Sequence, residues 1–147
     1  MIVPDVNLLL YAHFTVYPEH ASARQWWEEA LNGDEPVGIA LPALFGFVRL
    51  ATSARVYNPP LSVDAALSHV EDWLARPHVR LLQPGSRYLE VVFRLLRKTG
   101  AGANLTTDAQ LAALAIENQA ELHSNDVDFG RFDGLRWVNP LRPGPET

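Results

Sequence analysis

The chain has no cysteine and a single lysine, Lys98, among its 147 residues. Without thiols there is no disulfide, no thiolate zinc site and no cysteine nucleophile. The five histidines are scattered and form no HExxH pattern, which removes the common histidine-based metal motifs. No apolar run approaches the roughly 18–20 residues that a membrane helix needs. The opening "MIVPDVNLLLYAH" has no basic leader and sets an Asp inside its apolar stretch, so it does not read as a signal peptide. A cytoplasmic protein with no membrane partner is the expectation. Excess positive charge is missing too: 12 Lys+Arg face 17 Asp+Glu, a net charge of −5. The general basic surface of a nucleic-acid binder is therefore lacking, and any contact with phosphate must run through a local patch or bound cations.

What remains is the composition of an ordinary globular domain, 48% hydrophobic and 20% charged. The length suits one core, and we expect a single domain over residues 1–140 with a flexible tail at 141–147. Apolar runs of strand length, "MIVPDV", "PVGIALP", "HVRLLQP", "AELHS" and "LRWVNP", are separated by segments of helical period. Ala23, Trp26, Trp27, Ala30 and Leu31 fall at helical spacing before a stop at Gly33. A second helix spans "ALFGFVRLATSARV", ending at Val56. Ser62 caps a third that presents Val70, Trp73 and Leu74, and Gly100 closes a fourth. The last is opened by Thr106 or Thr107 and carries Leu111, Leu114 and Ala115. Strands alternating with helices imply crossover connections. The predicted fold class is α/β, a three-layer α/β/α sandwich with a mostly parallel central sheet.

In such sheets ligands bind beyond the carboxyl ends of the strands. Asp5 stands at the exit of the first strand, and Asp126 and Asp128, in "LHSNDVDFGRF", at the exit of the fourth. Asp108 falls in the first turn of the last helix, where the helix dipole is expected to keep it ionised. Taken singly, Asp5 is an ordinary turn residue and Asp108 an ordinary helix-start acid. Capping of the "VDFGRF" turn is assigned to Asp128 rather than Asp126. Together, three distant segments aim acids at one crevice. Like charges there need a shared cation, and an oxygen-only set favours Mg²⁺ or Mn²⁺, ions that activate water and stabilise a phosphodiester transition state.

The segments "IVPDVNLLLYA", "FGFVRLATSARVY" with "NPPLS", and "TTDAQLAALAIENQAELHSNDVDFGRFDGLRWVNPL" cover nearly the whole chain. In them it resembles PIN-domain proteins, and more narrowly the VapC toxins of VapBC toxin–antitoxin systems. The resemblance implies a PIN-like fold and a Mg²⁺- or Mn²⁺-dependent endoribonuclease that cuts a structured cellular RNA. It also implies a homodimer neutralised by a cognate VapB antitoxin. Carried over by position, Asp5, Asp108 and Asp126 are the catalytic and metal-site acids, Asp128 is a further candidate, and Asn7 and Ser124 are supporting groups. One position departs: three residues before Arg49, where similar sequences carry Glu, stands Gly46. The alternative is therefore a PIN-like module that binds RNA or protein without cutting. A haloacid-dehalogenase-type phosphatase would need a second Asp where Asn7 stands.

Arg49 is a candidate RNA or antitoxin contact. Arg94, Arg97 and Lys98, at i, i+3 and i+4, form the best local basic face for RNA. His123 is expected to be a core histidine rather than a ligand. Trp26 and Trp27 cannot share one helical face, so one is expected half-exposed, beside an antitoxin groove.

Overall fold

A computed structural model describes residues 1–142; beyond Arg142 the expected tail lies outside the described residues. Leu141, its first residue, packs against the core. Five strands form one sheet: β1 (Ile2–Pro4), β2 (Val37–Ala40), β3 (Val79–Leu82), β4 (Glu121–His123) and β5 (Arg136–Val138). Their order is β3-β2-β1-β4-β5, and all four pairings are parallel. The first strand of the chain thus occupies the centre.

Side-chain alternation along the strands builds two cores. Val37, Ile39 and Val79 face one side, where they meet α1 (Val6–His13), α2 (His20–Asn32), α3 (Leu41–Ala51) and α4 (Val63–Leu74). Val3, Ala40, Leu82 and Leu122 face the other, beneath α5 (Tyr88–Thr99) and α6 (Asn104–Glu117). A parallel sheet needs both faces covered, and the three-layer α/β/α expectation holds. Two of the expected helix signals act as anticipated. Ser62 Oγ accepts the Ala65 N–H at 3.1 Å, and Gly100, at φ 67°, ends α5 in the left-handed conformation.

Three elements differ from expectation. Helix α1 is new: it follows β1 with only Asp5 between, and Asp5 Oδ1 accepts the Val6 N–H at 2.7 Å. Helix α3 stops at Ala51 instead of Val56, where the Thr52 hydroxyl turns back to donate to the Val48 carbonyl at 2.7 Å. Helix α6 opens at Asn104, so neither Thr106 nor Thr107 is its cap. Ala103, at φ 51° and without a side-chain cap bond, precedes it, and burial of Leu105 commits the chain to helix early. Asp108 consequently sits in the second turn.

The α1–α4 core centres on Trp73, which meets Trp27 edge-on at 5.5 Å and Phe47 at 4.9 Å. Phe47 is fully buried, whereas Phe45, on the same helix, is 60% exposed. Phe47→Ala should lower stability by about 3–5 kcal/mol in urea unfolding.

Candidate functional site

Strands β1 and β4 are neighbours in register, Pro4 beside His123, so both chains leave the sheet at the same edge. The Asp5 N–H donates to the His123 carbonyl at 2.9 Å, continuing the ladder one step past the strand. Directly after it, the buried hydroxyl of Ser124 donates to Asp5 Oδ2 at 2.7 Å. Ser124 Oγ in turn accepts the Asp126 N–H at 3.0 Å and Asn7 Nδ2 at 3.3 Å. A hydroxyl has one proton and two lone pairs, and here all are engaged. Ser124 therefore fixes Asp5, Asn7 and the backbone of Asp126 at once.

The loop that carries Asp126 is braced from two further directions. Trp137 Nε1 donates to the Ser124 carbonyl at 2.9 Å, and Asn139 Nδ2 to Asn125 Oδ1 at 2.8 Å. Asn125 Nδ2 in turn lies 3.5 Å from the Tyr11 hydroxyl. Asn125, Asn139 and Tyr11 were not among the expected site residues. All three lie within the segments that carry the family resemblance. Past the loop a short 3-10 turn runs over Val127–Arg131. Its capping falls to Asp126, whose Oδ1 accepts the Asp128 N–H at 2.9 Å. The expected assignment of that cap to Asp128 is therefore reversed, because only Asp126 precedes the turn. Asp128 is exposed.

Electrostatics join Asp108 to this group. Burial and then the charges of Asp5, Asp126 and Asp128 raise its carboxyl from the ordinary 3.8 to about 6. The expected help from the helix dipole fails, since that influence dies within the first turn and Asp108 lies one turn further on. Burial likewise raises Asp5; the hydrogen bonds from Ser124 and Val6 oppose this, and Asp126 adds to it. Asp108 thus feels the three other carboxylates, and Asp5 feels Asp126. Beside them Asn7 Oδ1 is buried with no hydrogen-bond partner, an acceptor facing no donor. These features fit a cation. Among the described residues, no three acidic or histidine side chains form a ready-made cage. Mg²⁺ keeps several waters and needs only one or two carboxylates, so the oxygen donors present suit it.

Other candidates fall around this edge or away from it. A Cβ on Gly46 would stand 3.3 Å from Val6 Cγ2, so α3 approaches α1 closely and offers no oxygen there. Arg49 is exposed and makes no ion pair among the described residues. The basic face is partly spent: Lys98 pairs with Asp133, and Arg97 lies 6.0 Å over the Phe93 ring. Arg94 is exposed. His123 is the buried core histidine expected, its Nδ1 accepting Trp26 Nε1–H at 3.0 Å. Of the tryptophan pair, Trp27 is buried and Trp26 half-buried. A cleft between α1, α2 and α4, lined by His13, His20, His69, Trp27 and Arg76, lies at the far end of α1 from Asp5.

Because the folded protein holds the Asp108 proton more tightly than the unfolded chain, its contribution to stability is fullest below pH 4. It declines as pH rises through 6. Asp108→Asn should therefore raise the stability of the metal-free protein at pH 7, by about 1 kcal/mol after allowing for solvent screening. It should also flatten the fall in stability between pH 4 and 6 in thermal melts. A variant less stable than the parent at pH 7 would contradict this reading of the site.

Comparison with known proteins bears on this arrangement. The PIN domain family model matches residues 2–135. Ribonuclease VapC33 of Mycobacterium tuberculosis is 51% identical over 97% of this chain and 99% of its own length. Ribonuclease VapC37 of the same organism is 45% identical over 95% of this chain and 97% of its own. Among solved structures, VapBC2 from Rickettsia felis, bound to a promoter DNA fragment, aligns with a TM-score of 0.65 at 19% identity. That alignment covers 95% of this chain and 98% of the other, and at such identity it bears on the fold alone. A full-length family match, close relatives among the VapC ribonucleases and a sheet edge that gathers the expected acids agree, and the chain belongs to the PIN-domain family, among its VapC members.

Proposed function

We propose that this chain is the toxin of a type II toxin–antitoxin system, an endoribonuclease that hydrolyses a structured cellular RNA with Mg²⁺ or Mn²⁺. The observation that carries this is the convergence of Asp5 and Asp126 at the exits of paired strands, tied together through Ser124, with Asp108 close enough to be raised by both. Asp5, Asp108 and Asp126 would hold the ion, with Asp128 as an outer acid. When bound, the ion lowers the pKa of water toward neutrality and offsets charge on the scissile phosphate. The protein's own part is positioning: Ser124 fixes the Asp5 carboxylate, and the Asn125–Asn139 bond keeps the Asp126 loop in place. Arg49 and Arg94 are exposed and are offered to phosphate. VapC33 and VapC37, ribonucleases by name, support the reaction class.

A VapB-type antitoxin is the proposed partner, in line with the VapBC assembly of the Rickettsia felis neighbour. Among the described residues no helix is long and apolar enough to cross a membrane, and we place the protein in the cytoplasm. A homodimer is the proposed free form, because apolar side chains stay exposed at i, i+4 on two helices, Leu41 with Phe45 and Leu89 with Phe93. The missing carboxylate at Gly46 favours a second reading, a module that binds RNA without cutting.

Cleavage of total bacterial RNA decides between the two. Purified protein should yield discrete fragments only with Mg²⁺ or Mn²⁺, and Asp5→Asn and Asp126→Asn should each reduce the rate by at least about 100-fold. RNA that is bound and stays intact with both ions would favour the non-cutting module. In light scattering, the double substitution Phe45→Glu, Leu89→Glu should convert dimer to monomer; a parent already monomeric at micromolar concentration would remove the dimer.

A further inference from the structure

We propose that a groove along α2, centred on Trp26, docks an extended, arginine- or lysine-bearing segment of a partner protein. Two cavities of about 300 and 420 Å³ make it up, and Trp26 and Glu29 line both. One end lies at the turn from α2 toward β2, at Gly33–Glu35; the other reaches Ser22 and the Pro140–Leu141 stretch. From Ser22 to Gly33 the helix advances about 16 Å, the span of about five extended residues. Trp26 is half-buried and held in one orientation. Its Nε1–H donates to His123 Nδ1 at 3.0 Å, and the ring stacks on that imidazole with centroids 5.8 Å apart. With its N–H engaged inward, Trp26 offers the groove carbon surface and π electrons. Ile2 and Ala30 extend the apolar lining.

The rim decides the partner. Glu29, Asp34 and Glu35 line the groove and are exposed. Among the described residues no arginine or lysine pairs with any of them. Glu29 accepts a hydrogen bond from Gln25 at 3.0 Å, and Glu35 meets the terminal amine of Met1 at 3.5 Å. Four other surface acids are matched: Glu28 by Arg24, Asp72 by Arg76, Glu90 by Arg87 and Asp133 by Lys98. Unmatched carboxylates beside a fixed aromatic ring suit a cationic side chain. Its hydrocarbon stem covers apolar surface while its head meets the acids and the ring face. RNA phosphates are repelled by the same rim. Arg142 lines the opposite end, which places the cationic residues of the segment toward Gly33. Ile2 and Glu35 lie where β1 and β2 begin, so this end of the groove opens away from the strand exits that carry Asp5 and Asp126.

Fluorescence anisotropy of a labelled hexa-arginine peptide, titrated with the full chain, tests this. The parent should bind it. The triple substitution Glu29→Gln, Asp34→Asn, Glu35→Gln, confined to exposed side chains and so the safeguard for folding, should bind about tenfold more weakly. Trp26→Leu should lose a similar factor of about ten. Asp126→Asn with Asp128→Asn should bind as the parent does, which separates the groove from the carboxylates of the sheet edge. A triple variant or a folded Trp26→Leu with parent affinity, or an edge variant that loses as much as the triple, would overturn the proposal. So would a parent that leaves hexa-arginine free, or one that binds labelled hexa-uridylate in a manner the triple variant abolishes.

Discussion

The hydroxyl of Ser124 is the contact on which the site depends. It spans 119 residues of sequence to reach Asp5, and its three hydrogen-bonding capacities are divided among an acid, an amide and a backbone N–H. Being fully buried, it works where hydrogen bonds are strongest and where an unmade one is most costly. The apolar layers above and below β1 and β4 keep both strand exits in register, so the polar bracket needs no adjustable loop. Asp5 could not be presented in one orientation by a turn alone. The parallel pairing of β1 and β4 provides the frame, and Ser124 turns that frame into chemistry.

Around this bracket the protein accepts local instability. Two of its carboxyls, Asp5 and Asp108, are raised by burial and by neighbouring carboxylates, the reverse of what ion pairing does elsewhere in the chain. Asp133, fully exposed, is lowered by Lys98 through a hydrogen bond and its charge, a contact of the kind that contributes little to stability. The contrast separates surface electrostatics from the site. On the surface, charges are matched because matching is easy. At the sheet edge they are mismatched, and the large aromatic core of Trp27, Phe47 and Trp73 on α2, α3 and α4 supplies the stability that makes such a mismatch tolerable.

Much of this was legible in the sequence, for identifiable reasons. Strand exits are marked by short apolar runs ending in polar residues, so Asp5 and Asp126 were placed correctly from pattern alone. Ser62 and Gly100 were legible because their roles are local. Helix α1 was not, because Val6–Ala12 is nearly continuous in its apolarity and such a run has no period to separate helix from strand. The start of α6 was hidden because Ala103, an unremarkable residue by type, takes a positive φ that tertiary packing imposes. Pairings between distant segments were beyond reach: nothing in the sequence joins Trp26 to His123, Lys98 to Asp133 or Asn139 to Asn125. The reversal of Asp126 and Asp128 as cap was a matter of one residue, which pattern reading does not resolve.

The central place of β1 also sets when the site can come into being. The first strand synthesised waits, with one edge unpaired, for β4, the fourth, and the serine that orients Asp5 lies just beyond that strand. A nascent chain that has emerged only through α6 already contains Asp5, Asn7 and Asp108, yet nothing aligns them. Long-range closure of this kind is slow compared with helix formation. The acids of the edge are therefore brought into one arrangement only when almost all of the domain has left the ribosome, a delay that follows from strand order.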